Sequence, residues 1–266
     1  MRSSHAAALV TAAVTTLVVS LVWAATRSAP SGPRPEPAAG AVVILELFTS
    51  QGCSSCPPAD RVLSALGNDP ALAGRVLPLA FHVDYWNHIG WTDPFSSPEA
   101  SARQRAYADA FDTGRIYTPQ LVVGGTRECV GSNESAAREL IAHALGRAPR
   151  GTVALTVKPD GRGFLVTAQA SLVAGAPAAE LLLAVVESGL ETAVPRGENA
   201  RRRLANDHVV RRFFTLGSLP AGGSKTYEQR FDRAPEWRPE QLSVVAFLQD
   251  PESREILAAG SRKFPN

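Results

Sequence analysis

The chain has 266 residues, of which 45% are hydrophobic and 20% are charged, and its formal net charge is only +2. This composition is ordinary for a globular protein and argues against wholesale disorder or a fibrous repeat. There is no long run of Lys and Arg with interleaved aromatic residues, so no nucleic-acid partner is expected. The length is sufficient for two domains of ordinary size.

The N-terminus has the pattern of an export signal. Arg2 precedes an uncharged apolar stretch at 6–23, and small residues follow it. An apolar region of about 7 to 15 residues followed by small residues is typical of a cleaved signal peptide. A region of about 18 or more apolar residues can span a bilayer and remain as an anchor. We therefore predict that residues 1–25 are a signal peptide or a retained membrane anchor. Both alternatives place the rest of the chain outside the cytoplasm, in the periplasm or secreted, with no membrane contact except through that anchor.

Residues 26–40 are rich in Pro, Ala and Gly, which predicts a semi-extended linker. The apolar, β-branched run at 41–48 then predicts a buried strand. Apolar residues recur with helical spacing over 59–66, so a helix should begin between 54 and 57 and end near Gly67. Residues 75–83 form the next apolar run, in which Pro78 indicates an edge or strand-start position.

Three further elements complete this region. Ser97-Pro98-Glu99 is typical of a helix start and opens a predicted helix at 96–111. A hairpin is predicted from 120–123 and 126–130 around a Gly-Gly turn, and a helix at 133–145 has Ser132 as its candidate N-cap. The order strand, helix, strand, helix, strand, strand, helix is that of a thioredoxin-like domain. We therefore predict an α/β thioredoxin-like domain over 41–148, with a mixed sheet flanked by helices.

The pattern changes after Pro149 to short strand-like runs separated by Gly, Pro and Asn-Asp turns. The runs lie at 152–157, 164–170, 181–187, 209–214, 225–231 and 242–249. Several short strands with little helical periodicity predict an antiparallel, sandwich-like β-domain over 149–266. This region carries no evident catalytic motif.

Cys53 and Cys56 lie at the junction between the first predicted strand and helix. A Cys-x-x-Cys beside a βαβ pattern is typical of a redox site, because a helix N-terminus stabilises the attacking thiolate. Cys53 is then the nucleophile and Cys56 the resolving thiol. One alternative is an inert structural disulfide. No second Cys pair completes a tetrahedral metal site, and Pro57 stands where covalent haem attachment needs His, so neither a metal nor a cofactor is predicted.

Thr118-Pro119 stands at the head of a predicted strand. A Pro at the start of an interior strand is unusual unless the preceding peptide bond is cis, so a cis bond is predicted here. The alternative is a trans Pro at the first strand position. In thioredoxin-like folds a cis-Pro lies beside the Cys pair and holds an extended substrate segment, which makes Thr118 and Pro119 candidate substrate-binding residues.

Several motifs together resemble the exported family called domain of unknown function 1223. The matching segments are Glu46–Ala59 (ELFTSQGCSSCPPA), 82–86 (HVDYW), 90–91 (GW), 93–95 (DPF), 103–107 (RQRAY), 117–120 (YTPQ), 130–132 (VGS), and the pattern from Gly197-Glu198-Asn199 to His208-Val209-Val210-Arg211. The resemblance covers nearly everything after the linker and implies a thioredoxin-like core. Ala200-Arg201 departs from it, because a Gly is expected there.

Other residues of the predicted thioredoxin-like domain are candidates for further roles. Thioredoxins keep a buried acid that relays protons to the resolving Cys, and Glu46 is the candidate, with an outward-facing or edge carboxylate as the alternative. Asp84 and Trp86 end the second strand and are candidates for substrate binding, or else for loop packing. Cys129, on the last strand of this domain, is predicted to be a small buried hydrophobe. The alternative is an exposed free thiol, which outside the cytoplasm would be a liability or a dimer bridge.

These observations predict an exported thiol–disulfide oxidoreductase whose partners are protein thiols and disulfides. The alternative is a non-catalytic thioredoxin-like binding module. Its Cys pair would then be a structural disulfide or a transient copper or zinc ligand.

Overall fold

The structure is a computed structural model that describes residues 40–265. The predicted signal or anchor at 1–25 lies outside the described residues, as does the linker apart from Gly40. None of the helices within residues 40–265 is long and apolar enough to cross a membrane.

The first half of the described chain alternates strands and helices in the predicted order. Its elements are β1 (Val43–Thr49), α1 (Cys56–Gly67), β2 (Val76–His82), α2 (Pro98–Ala110), β3 (Gln120–Val123), β4 (Arg127–Val130) and α3 (Glu134–Leu145). Ser97 caps α2 by accepting the N–H of Ala100, as its sequence indicates. The cap of α3 is Asn133 and not Ser132, because Asn133 accepts the N–H of Ala136.

The second half is built from strands. They are β5 (Gly151–Asp160), β6 (Gly163–Leu172), β7 (Ala179–Glu187), β8 (Leu190–Val194), β9 (Arg202–Asn206), β10 (Val209–Leu219), β11 (Ser224–Asp232), β12 (Leu242–Gln249) and β13 (Ile256–Lys263). The sequence did not indicate β8, β9 or β13. β8 and β9 each bury few side chains, and β13 is rich in Ala and Gly, so none of the three carries a strong apolar alternation.

A single eight-stranded mixed sheet runs through both halves, in the order β13-β12-β7-β10-β2-β1-β3-β4. β1 and β2 are parallel, and β10 pairs with β2 in parallel at Val209 and Ala80. The regions 41–148 and 149–266 are therefore hydrogen-bonded to one another. The sandwich expected in the second region is present, because the three-stranded sheet β11-β6-β5 packs against β7 and β12, but its other sheet continues into the first region.

Pro78 lies on β2, which is an interior strand and not an edge. The N–H of Ala80 donates to the carbonyl of His208, so the first link from β2 to β10 comes two residues after Pro78. Backbone N–H groups two residues apart point to the same side of a strand. The missing N–H of Pro78 therefore faces the side on which β10 has not yet begun to pair.

Alternate residues of β1 face two different cores. Leu45 and Leu47 pack with α1 and α3, whereas Ile44 and Phe48 pack on the other face of the sheet, where α2 lies. β1 is buried along its whole length, which confirms the prediction from its continuous apolar run.

Candidate functional site

The Cys pair is closed as a disulfide between β1 and α1, with the two Cα atoms 5.4 Å apart. α1 begins at Cys56, within the predicted interval. Cys53 is 1% exposed and Cys56 is 0% exposed, whereas Ser54 and Ser55 between them are exposed. The Ser55 hydroxyl lies 3.3 Å from the Cys53 sulfur. The predicted strand-to-helix placement is confirmed, and the disulfide is almost wholly buried.

The peptide bond between Thr118 and Pro119 is cis, which confirms that prediction. The indole N–H of Trp86 donates to the Thr118 hydroxyl at 2.7 Å. A Cβ added at Gly52 would lie 3.2 Å from the Cβ of Trp86, so Trp86 also lies against the residue that precedes Cys53. The structure thus brings Cys53, Trp86 and Thr118 to one place.

Gly131 joins the Pro119 segment to the first turns of α1. Its N–H donates to the carbonyl of Pro119 at 2.9 Å. A Cβ at this position would lie 2.6 Å from Cδ1 of Leu47 and 3.1 Å from Cβ of Ala59. Ala59 is one turn beyond Cys56, so the cis-proline segment lies close to the helix that carries the disulfide.

Asp84 is held by α2. Its Oδ1 accepts the hydroxyl of Ser101 at 2.5 Å, and its N–H donates to the same hydroxyl at 3.1 Å. None of the hydrogen bonds described for it within residues 40–265 reaches the disulfide. The contact favours the loop-packing alternative for Asp84, whereas Trp86 lies beside the Cys pair.

Glu46 is fully buried on the sheet face opposite α1, where it forms an ion pair with Arg103. Nη2 of Arg103 donates to Oε1 of Glu46 at 2.9 Å, and the Tyr107 hydroxyl donates to the same oxygen. Since consecutive residues of a strand face opposite sides, Glu46 points towards α2 and Leu47 points towards α1. The structure does not bring Glu46 to the Cys pair, and the proton-relay role predicted for it has no contact to support it.

Asp60 has a buried carboxyl group. It follows Cys56 by four residues in α1, so the two side chains lie on the same face of the helix. Its Oδ1 accepts the hydroxyl of Thr49 at 2.8 Å, and Nδ2 of Asn206 lies 3.5 Å from Oδ2. Burial raises the pKa of Asp60 to about 6, although nearby His82 and the Thr49 hydrogen bond act in the opposite direction. Asp60 is not among the site residues predicted from the sequence, although its four-residue spacing from Cys56 on a predicted helix could have indicated it.

Residues 50–55, between β1 and α1, form the loop that carries Cys53 and is called the Cys loop here. Next to it, His82 and Asp93 form a buried ion pair with Nδ1 and Oδ2 2.7 Å apart. Burial alone would lower the pKa of His82, but the Asp93 carboxylate outweighs burial and raises it. Asp93 also accepts the N–H of Gln51 at 2.8 Å, which links the ion pair to the chain just before Cys53.

Residues from the second half of the chain hold the Cys loop. The side-chain amide of Gln51 donates to the Thr192 hydroxyl and to Oδ1 of Asn206, at 3.0 Å each. The amide of Asn199 donates to the carbonyls of Gln51 and Cys53, at 2.9 and 3.0 Å. The carboxylate of Glu198 accepts the N–H of Ser54 at 2.9 Å.

No sequence signal could have paired Asn199 with Gln51, because they are 148 residues apart. Arg201 in the same loop has φ 64°, a left-handed conformation that favours Gly. The chain therefore keeps the backbone shape for which Gly is expected at this point, with Arg in its place.

Other candidate groups lie apart from this site. Cys129 on β4 is a half-buried free thiol, and its pKa is raised to about 11 by burial and by Glu128. It packs against the core that contains α1 and α3, as predicted for a small hydrophobe, but it is half-buried and not fully buried as expected. Within residues 40–265 no group of three or more His, Cys, Asp or Glu side chains is placed to hold a metal ion.

Solved structures that are similar to this chain include one from Agrobacterium tumefaciens and one from Porphyromonas gingivalis. Protein AGR_C_4864 from Agrobacterium tumefaciens is 27% identical with a TM-score of 0.63, over 83% of this chain and 94% of that one. HBP35 of Porphyromonas gingivalis is 17% identical with a TM-score of 0.65, over 86% of this chain and 77% of that one, a likeness that shows the fold alone. The search of curated proteins returned no match.

A family model described as "Protein of unknown function (DUF1223)" matches residues 44–249. The match spans most of the chain and includes the Cys pair, the cis-proline segment and the loop that carries Glu198 and Asn199. The chain therefore belongs to the DUF1223 family.

Proposed function

We propose that the protein is an exported thiol–disulfide oxidoreductase that acts on protein thiols and disulfides through Cys53 and Cys56. The observation that carries the proposal is a closed Cys-x-x-Cys disulfide at the start of a helix, with a cis-proline segment packed beside that helix. Helix N-termini stabilise thiolates, and a thiolate is the species that attacks a disulfide. We further propose that the elements from β1 to α3 form a thioredoxin-like unit, on the basis of their order and of this cis-proline.

The proposed reaction needs no cofactor. In the oxidising direction a substrate thiolate attacks the sulfur of Cys53, the Cys53–Cys56 bond breaks, and Cys56 leaves as a thiolate that takes up one proton. A second substrate thiolate then attacks the substrate sulfur of the mixed disulfide. The substrate gains a disulfide, Cys53 leaves as a thiolate, and the Cys pair retains the two electrons. The reducing direction is the reverse of these steps.

Asp60 is our candidate for the group that exchanges the proton of Cys56. It is buried one helical turn from Cys56, and Asn206 links it to Gln51, two residues before Cys53. A pKa of about 6 allows this carboxyl group to take up and release protons near neutral pH.

A second candidate function is supported by the burial of the pair. Cys53 and Cys56 are 1% and 0% exposed, as expected for a structural disulfide in a binding module. If this candidate is correct, reduced protein exchanges no faster with a small disulfide than an ordinary thiol does. A metal that is retained in stoichiometric amount on purification and lost in Cys53→Ser would favour the metal-binding form of this alternative.

The proposal places the protein outside the cytoplasm, in a compartment where disulfides persist. The proposed export rests on the signal-like pattern of residues 1–25, an Arg followed by an apolar stretch and small residues. Fractionation of native cells would test it: recovery in the cytoplasm would contradict the export proposal.

Trapping of a mixed disulfide tests the enzymatic proposal directly. Cys56→Ser leaves Cys53 without its resolving thiol and should accumulate a covalent complex with a partner protein that reducing agent releases. Cys53→Ser should trap none, and Cys129→Ser in both variants removes the third thiol as a source of complexes. If Cys56→Ser traps no partner and reduced wild-type protein fails to exchange with glutathione disulfide, the Cys pair is structural.

A further inference from the structure

The loop between β8 and β9 reaches the disulfide from a distant part of the sequence. Asn199 in this loop is fully buried and uses both amide hydrogens on the backbone around the Cys pair, namely the carbonyls of Gln51 and Cys53. Its Oδ1 accepts a hydrogen bond from Arg202 at 3.0 Å, which fixes the orientation of the amide. Asn199 therefore positions the chain on both sides of Gly52.

Glu198 supplies a negative charge at the N-terminus of α1. Its carboxylate accepts the N–H of Ser54, one peptide bond from Cys53. The first turn of α1 has no acidic residue of its own, and the N-cap residue Ser55 makes no side-chain capping bond. Glu198 is thus the carboxylate that meets the positive end of this helix.

This contact has different energies in the two redox states of the pair. A disulfide is uncharged, so Glu198 meets no like charge while the pair is oxidised. On reduction, a Cys53 thiolate would have the carboxylate of Glu198 as a neighbour and would compete with it for the N–H groups at the helix start. Like charges close together raise the free energy of the reduced state, and a less stable thiolate lowers the reduction potential of the pair.

We propose that Glu198 and Asn199 belong to the redox site, with Asn199 positioning the Cys loop and Glu198 biasing the pair towards the disulfide. This inference rests on the proposed function, because it assumes that the pair cycles between its two states. Among residues 40–265, the other ionisable groups near the loop include Asp60 and Arg61 on α1, the His82–Asp93 pair and Arg202. All of them are unchanged in a variant of Glu198 alone.

Glu198→Gln tests this role, because it removes the charge and keeps the shape of an exposed side chain. We expect the equilibrium constant for oxidation of the pair by glutathione disulfide to fall about threefold to tenfold, which corresponds to a reduction potential about 15 to 30 mV higher. The pH at which alkylation of Cys53 reaches half its maximal rate should also decrease. Both differences should shrink in about 1 M salt, because salt screens exposed charges.

Two variants serve as controls. Glu198→Asp keeps the charge and should stay near the wild-type values. Glu191→Gln removes a carboxylate of β8 that pairs with Arg203 and makes no hydrogen bond to the Cys loop, so it should change neither measurement. An unchanged or lower potential in Glu198→Gln would overturn the inference.

The measurements also separate this inference from the proposed function. Equilibration with glutathione needs no protein substrate, so a shift in Glu198→Gln supports the role of Glu198 even if Cys56→Ser traps no partner. If wild-type protein and Glu198→Gln both resist reduction by excess dithiothreitol in the folded state, the inference and the proposed function both fail.

Discussion

Glu46 on β1 and Asp60 on α1 are both buried, and the surroundings of their carboxyl groups differ. Glu46 is paired with the guanidinium of Arg103, which in turn lies between 4.9 and 5.6 Å from the centres of four aromatic rings, those of Phe81, Tyr107, Phe213 and Phe247. Asp60 has a hydroxyl and an amide as its hydrogen-bond partners, and within residues 40–265 no Lys, Arg or His side chain forms an ion pair with it. Burial therefore raises the pKa of Asp60, which makes it the better candidate for proton exchange.

Asp60→Asn should slow the resolving step of thiol exchange at pH 7 by at least about tenfold, because the Cys56 proton loses its acceptor. We expect an inflection near pH 6 in the rate profile of the wild-type protein and none in that of the variant. Stopped-flow measurement of release from a mixed disulfide between pH 5 and 8 would show both effects. Asp109→Asn, an exposed Asp of α2, is the matched control, and an unchanged profile in Asp60→Asn would exclude the proposed role.

The same substitution should stabilise the folded protein at pH 7. The folded-state pKa of Asp60 lies above its ordinary value of 3.8, so the folded state holds its proton more tightly than the unfolded state does. Stability is therefore lost as pH rises from about 4 through about 6, by at most about 3 kcal/mol. Denaturant unfolding should show that the free energy of unfolding falls less between pH 4 and pH 7 in Asp60→Asn than in wild type. An equal loss in both would contradict this assignment of the pKa.

Glu46→Gln should destabilise the protein by about 3 kcal/mol, because Arg103 is left as an uncompensated buried charge. Replacement of both residues by Met should recover much of this loss. Since Glu46 lies on the opposite face from the disulfide, the redox pH profile should stay unchanged. Denaturant unfolding and the exchange profile test the two statements separately, and a shifted profile would restore the relay role of Glu46.

At the scale of elements, local patterns predicted the first half well. The helices were recognisable because capping residues and Pro at helix starts act over a few residues, as at Ser97 and Pro98. β8 and β9 were not predicted from the sequence. They form a two-stranded hairpin that covers a loop, so they bury few side chains and lack a strong alternation of apolar and polar residues. Their position over the Cys loop depends on hydrogen bonds that the side chain of Gln51 donates to Thr192 and Asn206, and on one that Asn199 donates to the carbonyl of Gln51. Local sequence does not encode these contacts.

The turn between β3 and β4 also makes a long-range contact. Gly124 and Gly125 have φ of 60° and 76°, and the N–H of Ile256 on β13 donates to the carbonyl of Gly124. A Cβ on Gly125 would overlap the carbonyl oxygen of Arg254, whereas a Cβ on Gly124 would only approach Ala144 to 3.8 Å. The turn therefore requires glycine for two separate reasons at adjacent positions.

Gly124→Ala should cost about 1 kcal/mol, the penalty of a left-handed backbone. Gly125→Ala should cost at least about 2 kcal/mol more, because the backbone at Arg254 must also move. Chemical denaturation of the two variants side by side measures the difference. If the two variants lose the same free energy of unfolding, the loop at Arg254 moves aside without a loss of stability.

At the scale of the molecule, the two halves share a core. The cluster around Phe48, Phe81 and Tyr107 also contains Val245 and Phe247 of β12, together with residues of β7. The boundary predicted between residues 148 and 149 therefore divides a continuous sheet and an apolar core.

A fragment of residues 41–148 should fail to fold cooperatively, because it exposes the side of β2 that pairs with β10 and the apolar face covered by β7 and β12. The protein without residues 1–39 should instead unfold with the loss of both halves in one transition. Circular dichroism and amide exchange on the two proteins test this expectation. A cooperative unfolding transition in the fragment would show that the halves are separate domains.

Some features of this protein are set by residues close together in the sequence, and others by contacts between distant residues. Apolar periodicity, capping residues and the spacing of Cys53 and Cys56 act over a few residues, so the sequence by itself determined the order of the early elements, the position of the Cys pair and the cis-proline candidate. The parallel pairing of β10 with β2, the pKa of Asp60 and the placement of Glu198 beside Ser54 were decided only by the tertiary structure. Each of these depends on burial and contacts between residues far apart in the chain, and no local pattern records them.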